Sequence, residues 1–155
     1  MASGLHPYLN FPGTSREAFE LYGKALGAEP KFATFGEFHA VPEGHEASDK
    51  IKHGSLEVSD VIKLYVSDTI EGKSPDGIVE GNSVTLSLMG DDAELTKKAF
   101  ATLAEDGTVV MPLQKQIWGD VYGQVKDRYG ITWQFNIAGG APGTEDFEAA
   151  EGVEG

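Results

Sequence analysis

Histidine, tyrosine and glutamine recur at alternate positions along several strand-like runs of this 155-residue chain. Residues two apart in a β-strand project from the same face, so each alternating set shares one surface. Imidazole, phenol and amide groups can hydrogen-bond a small molecule, and aromatic rings can stack on it. The candidate ligand-binding residues are His6, Tyr8, His53, Glu57, Tyr65, Trp118, Tyr122, Gln124 and Gln134.

His6 and His53 are also the residues best suited to metal binding or proton transfer. Neutral imidazole is a common ligand of divalent metals, and histidine titrates near neutral pH. For acid–base chemistry, His53 beside Glu57 or Tyr65 is the place to look. A hydrogen-bonded sheet histidine is the simpler explanation of His53, so we assign no catalytic residue and treat both histidines as weak metal candidates.

Two helices and eight strands position these residues. The first helix, predicted over 14–27, opens at a threonine–serine pair and ends at a glycine. The second, over 93–104, begins after a cap at Asp91 or Asp92. Strands are predicted at 5–11, 30–39, 51–58, 61–67, 83–89, 108–114, 119–127 and 131–137.

The order strand, helix, three strands therefore occurs twice. It predicts an α+β fold of two βαβββ modules, 5–68 and 83–138, with a concave mixed sheet. Neither module is large enough to bury much by itself, so both are expected to share one domain, 1–138.

Alternation sorts each strand into an apolar and a polar face. Trp133 and Phe135 are predicted to point into the core. The polar faces could be solvated outer surfaces of antiparallel sheets, or they could line a shared cup. Their residues are mainly Ser, Thr, Asn, Gln, Tyr and His rather than Lys and Glu, which favours the cup.

Charge and composition exclude several classes of function. With 12 Lys and Arg against 25 Asp and Glu, the net charge of -13 disfavours nucleic acid and anionic membranes as partners. The absence of cysteine excludes disulfides, thiolate metal sites and a cysteine nucleophile. No signal peptide or membrane-length apolar run occurs, so a cytoplasmic location is expected. Residues 139–155, rich in glycine and acids, are predicted to form an acidic disordered tail.

Several segments together resemble the PhnB-like branch of the vicinal oxygen chelate superfamily, which includes glyoxalase I, bleomycin resistance proteins and extradiol dioxygenases. The resemblance covers about residues 5 to 138. The segments are Pro7-Tyr8-Leu9-Asn10-Phe11, Ala18-Phe19-Glu20-Leu21-Tyr22, Ala25-Leu26-Gly27-Ala28, His53-Gly54-Ser55-Leu56, Leu64-Tyr65-Val66-Ser67-Asp68, Trp118-Gly119-Asp120 and Asp127-Arg128-Tyr129-Gly130-Ile131-Thr132-Trp133.

The resemblance implies a homodimer and leaves open an exchange of modules between chains. It also maps the four metal-ligand positions of such proteins onto His6, Tyr65, Ser83 and Gln134. Of these, His6 alone is a good ligand, since neutral amide and hydroxyl groups bind Zn, Ni or Fe poorly. No cofactor and no four-ligand metal site are therefore expected, although a divalent metal at His6 and His53 stays open.

Two functions follow from this resemblance. The favoured one is metal-free binding of a small cationic or neutral molecule, as in drug-resistance members. The alternative is a metal-dependent lyase, dioxygenase or resistance-type transferase acting on a small oxygen-rich substrate. Some relatives carry the name 3-demethylubiquinone-9 3-methyltransferase, but the chain lacks the glycine-rich loop after a strand that nucleotide-like cofactors need.

Overall fold

The computed structural model describes residues 4–70, 77–147 and 149, which fall into two compact units, unit 1 (Met1–Val79) and unit 2 (Glu80–Gly155). The described part of unit 1 contains β1 (Tyr8–Phe11), α1 (Ser15–Leu26), β2 (Lys31–Thr34), β3 (Ile51–Glu57) and β4 (Lys63–Asp68). Unit 2 contains β5 (Leu86–Gly90), α2 (Ala93–Ala104), β6 (Thr108–Lys115), β7 (Val121–Lys126) and β8 (Thr132–Ile137). The predicted α+β fold of two repeated βαβββ modules is confirmed.

Each unit has one mixed sheet of four strands among its described residues. The strand orders are β1-β4-β3-β2 and β5-β8-β7-β6. In both sheets the first and last strands of the module pair in parallel, and the remaining pairs are antiparallel. The parallel pair is possible because the helix of the module carries the chain from the first strand, at one edge of the sheet, to the second strand at the other edge.

Helix α1 covers the apolar face of the unit 1 sheet, where it contacts β3 and β4. The predicted apolar stripe of α1 is buried, and Phe19 and Tyr22 are both fully inaccessible. Leu56 and Val66 meet them from the sheet, each with no exposed surface. The helix ends at Gly27, whose φ of 79° suits glycine and whose N–H donates to the Gly23 carbonyl at 2.8 Å.

The start of α1 is held by a side chain that the helix does not contain. Thr14 is the N-cap, yet its side chain makes no capping hydrogen bond. Instead Asp68, at the end of β4, accepts from Ser15 N with one oxygen and from Ile51 N with the other, both at 2.9 Å. Asp68 is 4% exposed, so this carboxylate satisfies two backbone donors that would otherwise be buried unpaired.

Unit 2 follows the same plan with different contacts. Helix α2 lies against β7 and β8, where Phe100 meets Phe135 edge-on at 5.3 Å. The cap predicted at Asp91 or Asp92 is Asp92, which accepts from Leu95 N at 3.0 Å. Trp133 and Phe135 are buried as predicted, at 4% and 0% exposure.

A second buried carboxylate organises the turn between β7 and β8. Asp127 Oδ1 accepts from Tyr129 N at 2.9 Å and Ile131 N at 3.1 Å. Its Oδ2 accepts from Trp133 Nε1 at 2.9 Å. The side chain of Asp127 therefore fixes the closing turn and orients the core tryptophan.

Except for β3 and β6, the strands begin later than the sequence predicts. β1 starts at Tyr8 rather than residue 5 and β5 at Leu86 rather than residue 83, while β2 ends at Thr34 rather than residue 39. Alternation places Leu5 and Val84 on the apolar faces of the strands predicted at 5–11 and 83–89, but they are 99% and 77% exposed because they precede the paired part of each strand.

The predicted tail also needs correction where it is described. Residues 139–147 continue from β8 through hydrogen-bonded turns, and Ala141 is buried with Ala93, Val121 and Ile137. Phe147 packs against that cluster, and Lys97 Nζ lies 5.2 Å from its ring centroid. The apolar side chains of Ala141 and Phe147, together with local turns, hold this acidic segment in place. Residues 148 and 150–155 lie outside the described residues.

The described helices have 12 residues each and include none long and apolar enough to cross a membrane.

Replacing Asp68 tests its role. Asp68→Ala leaves the N–H groups of Ser15 and Ile51 buried without an acceptor, so we expect the free energy of unfolding to fall by about 2–4 kcal/mol. Chemical denaturation followed by circular dichroism measures this change. Asp60→Ala, at an exposed aspartate before β4, is the matched control and should shift stability by about 0.5 kcal/mol or less. Equal losses in the two variants would contradict the role given to Asp68.

Candidate functional site

Four aromatic rings meet on the polar face of the unit 1 sheet. They belong to Tyr8 of β1, Tyr65 of β4, His53 of β3 and His6, which precedes β1. Ring centroids are 5.8 Å apart for His6 and Tyr65, 5.9 Å for Tyr8 and His53, 6.2 Å for Tyr8 and Tyr65, and 5.8 Å for His53 and Tyr65. We call this group the ring platform.

The register of the sheet places the platform. Tyr8 lies opposite Tyr65, Tyr65 opposite Ser55, and Ser55 opposite Lys31. Directly opposed residues of paired strands share a face, so these four form a row across all four strands. The sequence offered Tyr8 and Tyr65 of this row as candidates, but strand order and register are needed to bring them together.

His53 lies on this row's face because it is two residues from Ser55 in a regularly paired part of β3, and a β-bulge follows on its N-terminal side. Ala33 and Thr34 are consecutive on β2, whereas their partners His53 and Ile51 are two apart, so β3 holds one extra residue at Lys52. In a regular strand Ile51 and His53 would point to the same side, because they are two residues apart. The bulge instead turns Ile51 into the core, where it is 1% exposed, while His53 stays exposed on the polar face.

Tyr8 and His53 are joined directly. The Tyr8 hydroxyl lies 3.1 Å from His53 Nδ1, and it donates when that nitrogen carries no proton. Desolvation by burial raises the pKa of Tyr8 above its ordinary value of 10.0, although the residue keeps 49% of its surface exposed. The phenol therefore stays neutral at physiological pH and serves as a hydrogen-bonding group, not a charge.

The three rings of Tyr8, His53 and Tyr65 are too close together to enclose a ligand. Tyr65 stacks on Tyr8 at an interplanar angle of 19° and on His53 at 26°. The rings thus support one another, and Tyr8 presents about half of its surface to solvent. This arrangement suits a ligand that rests on the rings and bonds to their polar edges.

The polar face of unit 2 carries amides where unit 1 carries rings. Gln124 Nε2 donates to the Tyr122 hydroxyl at 2.7 Å, and the Trp118 ring meets Tyr122 edge-on at 6.4 Å. Gln134 lies opposite Gln124 on β7 and opposite Ser87 on β5. Trp118, Tyr122, Gln124 and Gln134, predicted together, therefore lie in one unit as neighbours.

Sequence reasoning missed Asp120, which belongs with this group. Its carboxylate accepts from Asn136 Nδ2 at 3.1 Å and from Gly139 N at 2.7 Å. The Trp-Gly-Asp turn signalled a reversal of the chain, but the partners of Asp120 come from β8 and the segment after it. Glu57, the remaining predicted residue, is exposed at the end of β3 and is absent from the ring platform.

The residues at the family's ligand positions do not suit a divalent transition metal. His6 supplies imidazole, but Tyr65 offers a neutral phenol, Ser83 an exposed hydroxyl before β5 and Gln134 an amide. His53 Nδ1 faces the Tyr8 hydroxyl. The described ranges contain no group of three or more His, Cys, Asp or Glu residues able to hold an ion. We therefore derive no chemistry through a metal.

Each unit thus has the βαβββ fold, with a polar sheet face on the side away from its helix. A sequence model described as the Glyoxalase/Bleomycin resistance protein/Dioxygenase superfamily matches residues 4–135. The chain belongs to this superfamily. The vicinal oxygen chelate resemblance read from the sequence is confirmed.

Three proteins illustrate the similarity. Protein YjdN of Escherichia coli (strain K12) is 30% identical over 141 residues, which cover 86% of this chain and 94% of that protein. The crystal structure of protein PA1353 from Pseudomonas aeruginosa is 33% identical with a TM-score of 0.71, covering 88% of this chain and 98% of that one.

A PhnB protein from Bacillus cereus, named as a 3-demethylubiquinone-9 3-methyltransferase, is similar in fold. It is 18% identical with a TM-score of 0.68, and the match covers 88% of this chain and 100% of that chain.

The ionisation of Tyr8 gives one test of the platform. Its folded-state pKa is raised, so its contribution to stability is complete below the unfolded pKa near 10.0 and is lost as pH rises through the folded value. The tyrosinate absorbance of Tyr8 is the difference between the unsubstituted protein and Tyr8→Phe. We expect this difference to develop at higher pH than the tyrosinate absorbance of the denatured chain. If it develops at the same or a lower pH, the desolvation of Tyr8 is wrong.

Metal content gives a second test. Protein purified without chelator, supplemented with Zn, Ni, Mn or Fe and then desalted should retain substoichiometric metal by elemental analysis, because three of the four family positions lack imidazole or anionic oxygen. His6→Ala and His53→Ala are the matched variants and should change nothing. A stoichiometric metal that either variant loses would establish a metal site at these histidines.

Proposed function

We propose that the protein is a metal-free small-molecule-binding member of its superfamily and that the ring platform of unit 1 is a binding surface. The observation that carries the proposal is the convergence of His6, Tyr8, His53 and Tyr65 on the polar sheet face. Core packing does not require these rings, since the apolar face beneath α1 is filled by other residues.

The chemistry of the platform favours a planar or cationic group. Aromatic faces attract both, and the ring edges supply hydrogen bonds from phenol and imidazole. An anionic ligand would meet an unfavourable field, since the chain has a net charge of -13. The ligand class is therefore small, neutral or cationic, and at least partly planar.

A metal-dependent lyase, dioxygenase or transferase has less support. Such an enzyme would need imidazole or carboxylate donors, which positions 65, 83 and 134 do not supply. The available groups instead bind by stacking and by neutral hydrogen bonds.

The proposal includes a homodimer acting in the cytoplasm. In support of a dimer, the edge strand β6 exposes Val109, Val110 and Met111 at 46%, 52% and 39%. Residues 108–113 carry no charge, so two acidic chains could approach there with little repulsion. The lack of cysteine suits a reducing compartment.

A fragment titration tests the binding surface. 2-Phenylethanol, a neutral aromatic probe, is added to the ¹⁵N-labelled full chain, and amide shifts are followed by NMR. We expect the largest shifts at Tyr8, His53 and Tyr65. Tyr65→Ala should weaken binding by about two- to tenfold, because it removes the ring that contacts the other three.

Phe38→Ala is the matched control, since Phe38 is an aromatic residue of unit 1 that is 51% exposed and lies outside the platform. It should leave the affinity unchanged. Shifts centred on Phe38, or equal weakening by the two substitutions, would overturn the assignment of the platform.

A further inference from the structure

A polar depression adjoins the ring platform on the unit 1 sheet. It has a volume of about 160 Å³ and is lined by Glu29, Lys31, Ser55 and Glu57. Ser55 connects the two features, because it lies directly opposite Tyr65 and next but one to His53 on β3. Two residues of a strand span roughly 7 Å, so one short ligand can reach from the rings into the depression.

The charged groups around the depression are not neutralised by pairing. Among the ion pairs formed by described residues, none includes Glu29, Lys31 or Glu57. Lys63 lies opposite Glu57 in the sheet and makes no ion pair with it either, and it does not line the depression. The lining therefore carries two carboxylates and one ammonium group, a net charge of -1, beside a hydroxyl that can accept a hydrogen bond.

We propose that this depression binds the protonated amine of a ligand whose apolar ring rests on the platform. The inference rests on the proposed function and names the ligand class: a primary arylalkylamine, whose alkyl-bound amino group is positively charged at neutral pH. Carboxylates of Glu29 and Glu57 and the Ser55 hydroxyl accept its N–H groups, while the ring stacks on Tyr65 and His53. The ammonium group of Lys31 repels the ligand's cation, so the lining as a whole attracts that cation only moderately.

Three probes of matched shape separate charge from stacking. 2-Phenylethylamine is a cation, 2-phenylethanol replaces its ammonium group by a neutral hydroxyl, and 3-phenylpropionate is an anion. NMR titration of the full chain gives each dissociation constant. We expect the amine to bind about two- to fivefold more tightly than the alcohol, as for exposed charge pairs, and the anion to bind most weakly. The advantage of the amine should shrink as salt is added.

Variants that each remove one charge test which residues of the depression bind the amine. Glu57→Gln and Glu29→Gln should bring the affinity for the amine close to that for the alcohol and leave the alcohol unaffected. Lys31→Gln should strengthen binding of the amine. Glu20→Gln is the control for net charge, because Glu20 is exposed on α1, which covers the opposite face of the sheet.

The outcomes distinguish this inference from the function on which it rests. If all three probes shift platform residues with equal affinity, or if the Gln variants at 29 and 57 behave like the control, the amine site is wrong and platform binding stands. If no probe shifts Tyr8, His53 or Tyr65, the proposed function fails together with the amine site.

Discussion

Unit 1 depends on one buried carboxylate. Asp68 joins the end of β4 to the first N–H of α1 and to the first N–H of β3. Strand β4 lies between β1 and β3, so fixing its end also fixes the strands that carry Tyr8 and His53. A charged group at 4% exposure is costly unless its hydrogen bonds are made, and here both oxygens have backbone partners. The geometry of the ring platform therefore follows from a contact on the opposite face of the sheet.

The two units show how a repeated fold can carry different surfaces. Both place a parallel pair of strands at one side of the sheet and a helix over the apolar face. In β4, β7 and β8, every second residue is buried in the core. The residues between them face the polar side, where unit 1 has Tyr65 and unit 2 has Gln124 and Gln134. Core packing specifies the topology, and the polar positions contribute little to it, so they can differ without altering the fold.

Sequence patterns correctly predicted the structural features that depend on local periodicity. Alternation placed Trp133 and Phe135 in the core, and the cap at Asp92 followed from residue type and spacing. The ends of strands were misplaced because pairing, which Leu5 and Val84 lack, determines where a strand begins. The segment after residue 138 was judged by its composition, and its anchors are too few to show there: Ala141 is buried in a small apolar cluster, and Phe147 packs against that cluster.

The geometry of the candidate site could not be predicted from local periodicity, because it depends on how distant strands pair. The types of His53 and Tyr8 were readable, but their hydrogen bond joins residues 45 apart and depends on strand order and register. Alternation from Ser55 places His53 on the polar face, whereas the burial of Ile51 depends on the bulge at Lys52. A bulge costs a ladder hydrogen bond and persists where it directs a side chain. Here it directs Ile51 into the core, while His53 on the other face meets a phenol that stays neutral. Under the proposed function, recognition on this face comes from ring contacts and the direction of hydrogen bonds, with charge entering at the end formed by Glu29, Lys31 and Glu57.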